Sequence, residues 1–357
     1  MKQKIIHALL VFFSVCAMMS TKADVPAGHF NALMKNIKKA FNYTNKISFS
    51  SLRMSKEIFH SDLAQLDPKS LDVIADDNKA VGFLYGNSIG KIVCSIITKK
   101  YPSAAAGFFA DSRLSKYLIP SFIKKYHINM ADYSQKTNEF VTLNDFFKRK
   151  IKSGVRIIST APLVSPADSA VTCIENIGTT AAKSSFTIKG TQFDLEKFLG
   201  DKKLAEAYTG GTLLIFRLAP GDYHRFHFPV TGTAEAAVRI KGNYQSVHPL
   251  AYINGINPLL ENERRLIKLT YNAHATTQEE CIIVPVGALF VGRMGETYTP
   301  GAEHNKGDEM GYFEFGGSTV IVLFKKNIFT IDPIIVERSL AGKETVIKMG
   351  QAVGFVQ

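Results

Sequence analysis

From Gly154 onward the chain is divided into short apolar runs separated by Gly, Pro, Asn and Asp, and this punctuation limits what it can fold into. The runs cover 156–158, 170–175, 213–218, 236–240, 265–270, 281–286, Ser318–Phe324 and 345–348. A helix needs about three turns to bury a stripe, whereas a strand is complete in five or six residues. Short runs rich in Val, Ile and Leu and bounded by turn residues therefore predict strands. The expected fold class is α+β: a helical N-terminal region followed by a mainly antiparallel β domain of sandwich or barrel type over 154–357.

Ahead of Gly154 the periodicity is that of helices. Between Asn87 and Lys100, Ile89, Ile92, Val93, Ile96 and Ile97 recur at helical spacing. Asp111 is placed to cap a second helix carrying Leu114, Leu118 and Ile119; Pro120 breaks its line, and Phe122-Ile123-Lys124-Lys125 resumes it. With Arg113, Lys116, Lys124 and Lys125 flanking the stripe, region 81–153 reads as helical and membrane-associating. The same pattern also fits a surface helix packed on its own core. Thr142-x-x-Asp145 resembles a capping box opening a helix with Phe146, Phe147 and Ile151. Residues 24–80 are polar and weakly periodic, a poorly defined extension. At the start, Lys2 and Lys4 precede an apolar stretch from Ile5 to Met19, then Ser20-Thr21-Lys22-Ala23, so 1–23 reads as a signal-like leader. An anchor is the alternative, although the run is short of the roughly 20 residues a full span needs.

The formal charge of +12 calls for an anionic partner. No helix-turn-helix, zinc-finger or RNP pattern is present, so the expectation is anionic lipid and no nucleic acid. The four cysteines have no paired spacing, and neither a disulfide framework nor a zinc site is expected.

Three places carry chemistry-bearing residues. Ser165-Pro166-Ala167-Asp168-Ser169 sets an Asp in a tight turn. Asp222-Tyr223-His224-Arg225-Phe226-His227-Phe228-Pro229 brings two histidines three apart. On a strand these face opposite ways, so a shared metal is not expected, but either suits acid–base work. Gly316-Gly317-Ser318-Thr319 leads directly into Val320-Ile321-Val322-Leu323-Phe324. Two glycines carry no side chain to shield the carbonyl ahead of Ser318, and self-cleavage at Gly317-Ser318 is one chemistry that wants such a bond. The plainer reading is a turn entering a core strand. Asp, His and Ser together are the parts of a nucleophile-activating relay, though Val320 breaks the G-x-S-x-G pattern of a hydrolase elbow.

Seven stretches give a resemblance: Ala110-Asp111-Ser112-Arg113-Leu114-Ser115, Leu143-Asn144-Asp145-Phe146-Phe147-Lys148-Arg149-Lys150, Ser165-Pro166-Ala167-Asp168, Ile188-Lys189-Gly190, Asp222-Tyr223-His224-Arg225-Phe226-His227, Asn262-Glu263-Arg264, and Lys306-Gly307-Asp308-Glu309-Met310-Gly311 leading into Gly316-Gly317-Ser318-Thr319. In this order and spacing they resemble the phosphatidylserine decarboxylase proenzymes over roughly 80–350. The resemblance implies a carboxy-lyase of phospholipid biosynthesis, made as a zymogen. Positions Asp168, His227 and Ser318 would form the self-processing triad, with His227, oriented by Asp168, taking the Ser318 proton. Cleavage at Gly317-Ser318 would leave a large chain and a small chain, 318–357, whose first residue becomes a covalent pyruvoyl cofactor. That ketone would form a Schiff base with phosphatidylserine, and CO2 loss would give phosphatidylethanolamine. His224 would help protonate the carbanion. No metal is required.

The implied partners are phosphatidylserine in an anionic membrane and the two chains of the one proenzyme; a homo-oligomer is compatible with this. The implied location is a membrane surface, reached peripherally or through the N-terminal apolar segment, with export following if the leader acts as a signal. Ser169, His248 and Arg293 depart from the family's usual residues and bear on head-group specificity. Two alternatives stay open: a pyruvoyl enzyme acting on a soluble amino acid, and an unprocessed lipid-binding relative.

Overall fold

The computed structural model describes residues 107, 109–178, 185–188, 191–245, 256–274, 277–288, 293–315 and 318–356. The leader 1–23, the extension 24–80, the helical pattern of 87–100, Lys189-Gly190, His248 and Gly316-Gly317 lie outside them.

The strands form where the apolar runs stand. A nine-stranded sheet runs in the spatial order Glu303–His304, Gly232–Ala234, Arg264–His274, Thr277–Gly287, Ser318–Phe324, Thr212–Leu218, Ser169–Ile174, Thr345–Ile347, with Val238–Ile240 also pairing with Arg264–His274. Every pairing in it is antiparallel. Glu303–His304 and Thr345–Ile347 end the order without meeting, so among the described residues the sheet is open and no barrel closes.

The central strands are covered on both faces, which is why their middles read as near-continuous apolar runs rather than alternating ones. Val320, Val322 and Phe324 face one core with Leu214, Phe216, Ile283, Phe226, Met310 and Phe313. Part of that cover is a second, three-stranded sheet of Met294–Glu296, Glu309–Phe313 and Arg225–His227. Ile321 and Leu323 face the opposite core with Leu213, Ile282 and Val284, closed by Phe198, Leu199, Tyr208 and Leu259 of the helices Leu195–Leu199, Lys202–Tyr208 and Pro258–Glu261. The result is α+β, with sheet packed on one face and helices on the other.

Three local readings need correction. Residues 156–158 form no strand; Ile158 instead packs against the backbone of Gly307 and Gly350. Asp111 caps no helix. Arg113–Leu118 is a 3-10 turn entered from Ser112, and the Asp111 carboxylate bonds Asn144 and pairs with Arg293. Pro120 breaks nothing, because it stands in the first turn of the helix Ile119–Lys125, where a missing N–H costs no hydrogen bond. Thr142 does cap Leu143–Phe147, its hydroxyl accepting from the Asp145 N–H at 3.0 Å. The Asp145 carboxylate reaches the Val141 N–H, one residue further back than a capping box requires. Among the described residues no helix is long and apolar enough to cross a membrane.

Candidate functional site

Ser318 is the first residue of a strand buried along its whole length. It pairs with Gly287 on one side and Leu218 on the other, so the sheet fixes its Cα from both flanks. Its side chain is fully buried, and among the described residues its Oγ has no hydrogen-bond partner. An unpaired buried hydroxyl costs about 1–3 kcal/mol, and native chains seldom keep one without use.

The two histidines stand at the two ends of the second sheet's edge strand, His224 just ahead of Arg225–His227 and His227 as its last residue. His227 is mostly buried, its backbone N–H donating to the Pro166 carbonyl at 2.8 Å. Its Nδ1 lies 2.9 Å from the Gly307 carbonyl, which can only accept, so Nδ1 carries the proton. Burial, partly offset by that bond and by the charge of Glu309, holds the ring's pKa below the usual histidine value and keeps it neutral. Nε2 is then the basic nitrogen, and it accepts from the Tyr223 hydroxyl at 3.0 Å. His224 is fully buried under Phe147, ring centroids 3.9 Å apart. Its Nδ1 donates to the Asp222 carbonyl at 2.9 Å, and among the described residues its Nε2 has no partner. Burial pushes its pKa down to about 3, so this imidazole too is neutral, with a bare lone pair.

Asp168 is also buried, but its bonds do not go to His227. Arg156 grips it with a two-pronged fork, Nε to Oδ1 at 3.0 Å and Nη2 to Oδ2 at 2.6 Å. The Met349 N–H donates to Oδ1 at 2.9 Å, and Lys348 Nζ lies 3.4 Å from Oδ2. Burial alone would raise its pKa; the Arg156 bonds, the Lys348 charge and the Met349 N–H outweigh that and leave it lowered. Asp168 is therefore a fixed negative charge. It favours protonation of His227 through space, alongside Glu309, while Arg225 opposes it.

Buried polar side chains hold the segments that carry these groups. Asn144 Oδ1 accepts from the Phe315 N–H at 2.7 Å, just ahead of the Gly-Gly pair, and its Nδ2 donates to Asp111 at 2.8 Å. Arg149 reaches the Gly221 and Asp222 carbonyls at 2.7 and 2.8 Å, so one carbonyl serves both Arg149 and His224. Asn262 donates to the Gly287 carbonyl at 2.8 Å, on the residue paired with Ser318. Arg293, at one of the unusual positions, pairs with Asp111 and lies 3.6 Å from Glu314. Sequence reasoning singled out Ser318, His227, His224 and Asp168 but assigned no task to Tyr223, Arg156, Asn144, Arg149 or Asn262. The signal for the last three is that each stands in one of the seven short stretches that carry the resemblance. Arg156 sits in a run misread as a strand.

These residues fit a ketone made from Ser318 itself. Among the described residues the serine hydroxyl has no bond to give up, the strand holds its backbone on both sides, His224 Nε2 is buried without a partner, and His227 Nε2 accepts from Tyr223.

The family model described as phosphatidylserine decarboxylase matches residues 143–355. A protein of Clostridium kluyveri named phosphatidylserine decarboxylase proenzyme is 40% identical over 280 residues, 78% of this chain and 92% of its own length. Proteins of the same name from Ruminiclostridium cellulolyticum and Chlamydia trachomatis are 38% and 39% identical, covering 76% and 77% of this chain and 89% and 90% of theirs.

Proposed function

The chain belongs to the phosphatidylserine decarboxylase family, and from that footing we propose that it cuts itself between Gly317 and Ser318 and then decarboxylates phosphatidylserine to phosphatidylethanolamine. It is a carboxy-lyase made as a proenzyme. The observation that carries the reading is the buried Ser318 hydroxyl, without a partner among the described residues, at the head of a core strand and directly behind two glycines in the sequence.

The cut needs a base, a nucleophile and a charge that favours the protonated base. His227 Nε2 takes the Oγ proton as Oγ attacks the Gly317 carbonyl carbon. The C–N bond breaks, the proton passes to the Ser318 nitrogen, and an ester joins Gly317 to Oγ. Asp168 and Glu309 stabilise the transient His227 cation without touching the serine. Loss of the Ser318 Cα proton then expels the Gly317 carboxylate from Cβ and leaves dehydroalanine. Its imine tautomer takes up one water, releases ammonia and becomes a pyruvoyl group.

That ketone supplies an electron sink for CO2 loss from an amine bound through it. His224 enters neutral, so its Nε2 must first gain a proton. An ammonium substrate must lose one before its nitrogen can attack, and His224 is the acceptor that can take that proton and return it to the product carbon. Exposed Arg113, Lys116, Lys124 and Lys125 on the helical region suit approach to an anionic bilayer.

Intact mass of the purified protein tests the cut. Two fragments are expected, the smaller running from position 318 with a carbonyl-reactive N-terminus, while Ser318→Ala stays whole and His227→Ala is blocked or greatly slowed. An uncut wild-type chain would overturn the mechanism. Turnover of free serine but not of phosphatidylserine vesicles would overturn the substrate.

A further inference from the structure

The base of the proposed cut is not free. His227 gives its Nδ1–H to the Gly307 carbonyl, and the nitrogen that must receive the Ser318 proton already accepts from Tyr223. The phenol is buried, lies four residues ahead of the histidine, and its ring is tilted 31° to the imidazole at 5.7 Å. Ser318 Oγ meanwhile has no partner among the described residues. So the nucleophile waits unpaired while the base is paired elsewhere.

We propose that Tyr223 is a positioning residue for self-cleavage: its hydroxyl caps His227 Nε2, fixes that nitrogen as the basic one, and sets the pH at which it can serve Ser318. A donor bound to a neutral nitrogen stabilises the neutral form and so lowers the pKa of the ring. Burial of Tyr223 raises its own pKa well above the usual phenol value, so the cap keeps its proton throughout. In the step itself the phenol turns aside, the Oγ proton passes to Nε2, and nothing else is exchanged.

The other charges facing His227 do not replace this cap. Glu309, opposite it in the neighbouring strand, is paired with Arg225. Asp168, which acts on it through space, is held by Arg156 and Lys348. In the loop carrying Gly307, Asp308 accepts from the Asn305 N–H and Lys306 donates to the Ala161 carbonyl.

This inference rests on the self-cleavage reading, and its test separates the two. Full-length chain made by cell-free translation is sampled over time at pH 5–9, and the cutting rate is plotted against pH. In Tyr223→Phe the acid-side midpoint should move up by about half to one pH unit, the worth of one neutral hydrogen bond. A fluorinated tyrosine placed at 223 is a stronger donor of nearly the same shape, and its midpoint should move down. Midpoints equal to wild type, or moving in the same direction in both variants, overturn the role of Tyr223. If Tyr223→Phe does not fold, the fluorinated chain alone decides, by a lowered or an unmoved midpoint. A wild-type chain uncut at every pH overturns self-cleavage itself.

Discussion

Replacing Arg156 by methionine tests whether Asp168 is kept as a buried charge. The carboxylate is 2% exposed, the Arg156 side chain 11%. The substitution removes both prongs of the fork and leaves only Lys348 and the Met349 N–H. Breaking a buried pair by deleting one partner costs about 3–5 kcal/mol. The lower end, about 3 kcal/mol, is expected here, because two donors remain. Arg156 also lies 3.5 Å from half-buried Asp132, a pair that adds little.

The assay is urea unfolding in a Ser318→Ala background, where the chain stays whole and unfolding is unimolecular. The midpoint should fall by roughly 1 M. The pH dependence identifies the cause. In the parent, the folded carboxyl has a lowered pKa, so its stabilisation is full above the unfolded value of about 3.9 and is lost as pH falls through the folded value. In Arg156→Met, burial is less opposed and the folded pKa rises. The stability gap should therefore be widest near pH 7 and close toward pH 3. A gap of constant size between pH 3.5 and 7 would falsify the electrostatic account and leave only lost packing.

Asn144→Ala removes the acceptor for the Phe315 N–H just ahead of the cleavage loop. The half-time of cutting should lengthen by about tenfold, the equivalent of about 1.4 kcal/mol of lost positioning, as read on denaturing gels. His224→Ala should still be cut, because His227 is the proposed base for that step. Its turnover of phosphatidylserine vesicles should fall about 10²-fold or more, with loss of proton transfer. An uncut His224→Ala that folds would reverse the division of labour between the two histidines.

The sheet was legible because its central strands are buried on both faces. At 213–216, 281–284 and 320–324 the apolar residues follow one another without interruption, and each stretch stands in the structure within a strand. Run 156–158 misled because local apolarity does not reveal a partner: Ile158 is apolar to fill space against Gly307 and Gly350, not to join a ladder. The reactive residue types were legible for the same local reason. Their wiring was not. Asp168 meets Met349 across 181 positions and His227 meets Gly307 across 80, and nothing near either residue encodes those contacts. Tyr223 was closer at hand, four positions from His227, but a strand pattern alone places i and i+4 on one face without saying that a hydroxyl reaches a ring nitrogen.

The position of Ser318 also constrains the chemistry after the cut. Breaking Gly317-Ser318 frees no strand, because Ser318–Phe324 stays hydrogen-bonded between Thr277–Gly287 and Thr212–Leu218. Burial of the apolar residues 320–324 contributes roughly 10 kcal/mol toward keeping it there. The far end of the small chain is tied as well. Gly350 donates to the Ser165 carbonyl at 2.9 Å, Ser165 to Gln351 at 2.8 Å, and Met349 to Asp168. The turn that carries Asp168 is therefore a clasp between the two products. Position 318 cannot move to a second pocket when it changes from nucleophile to electrophile, so one buried site has to serve both reactions. In the proposed mechanism two neutral histidines with separate lone pairs answer that requirement: His227, capped by Tyr223, serves the single cut, and His224, with no partner on Nε2 among the described residues, serves every turnover.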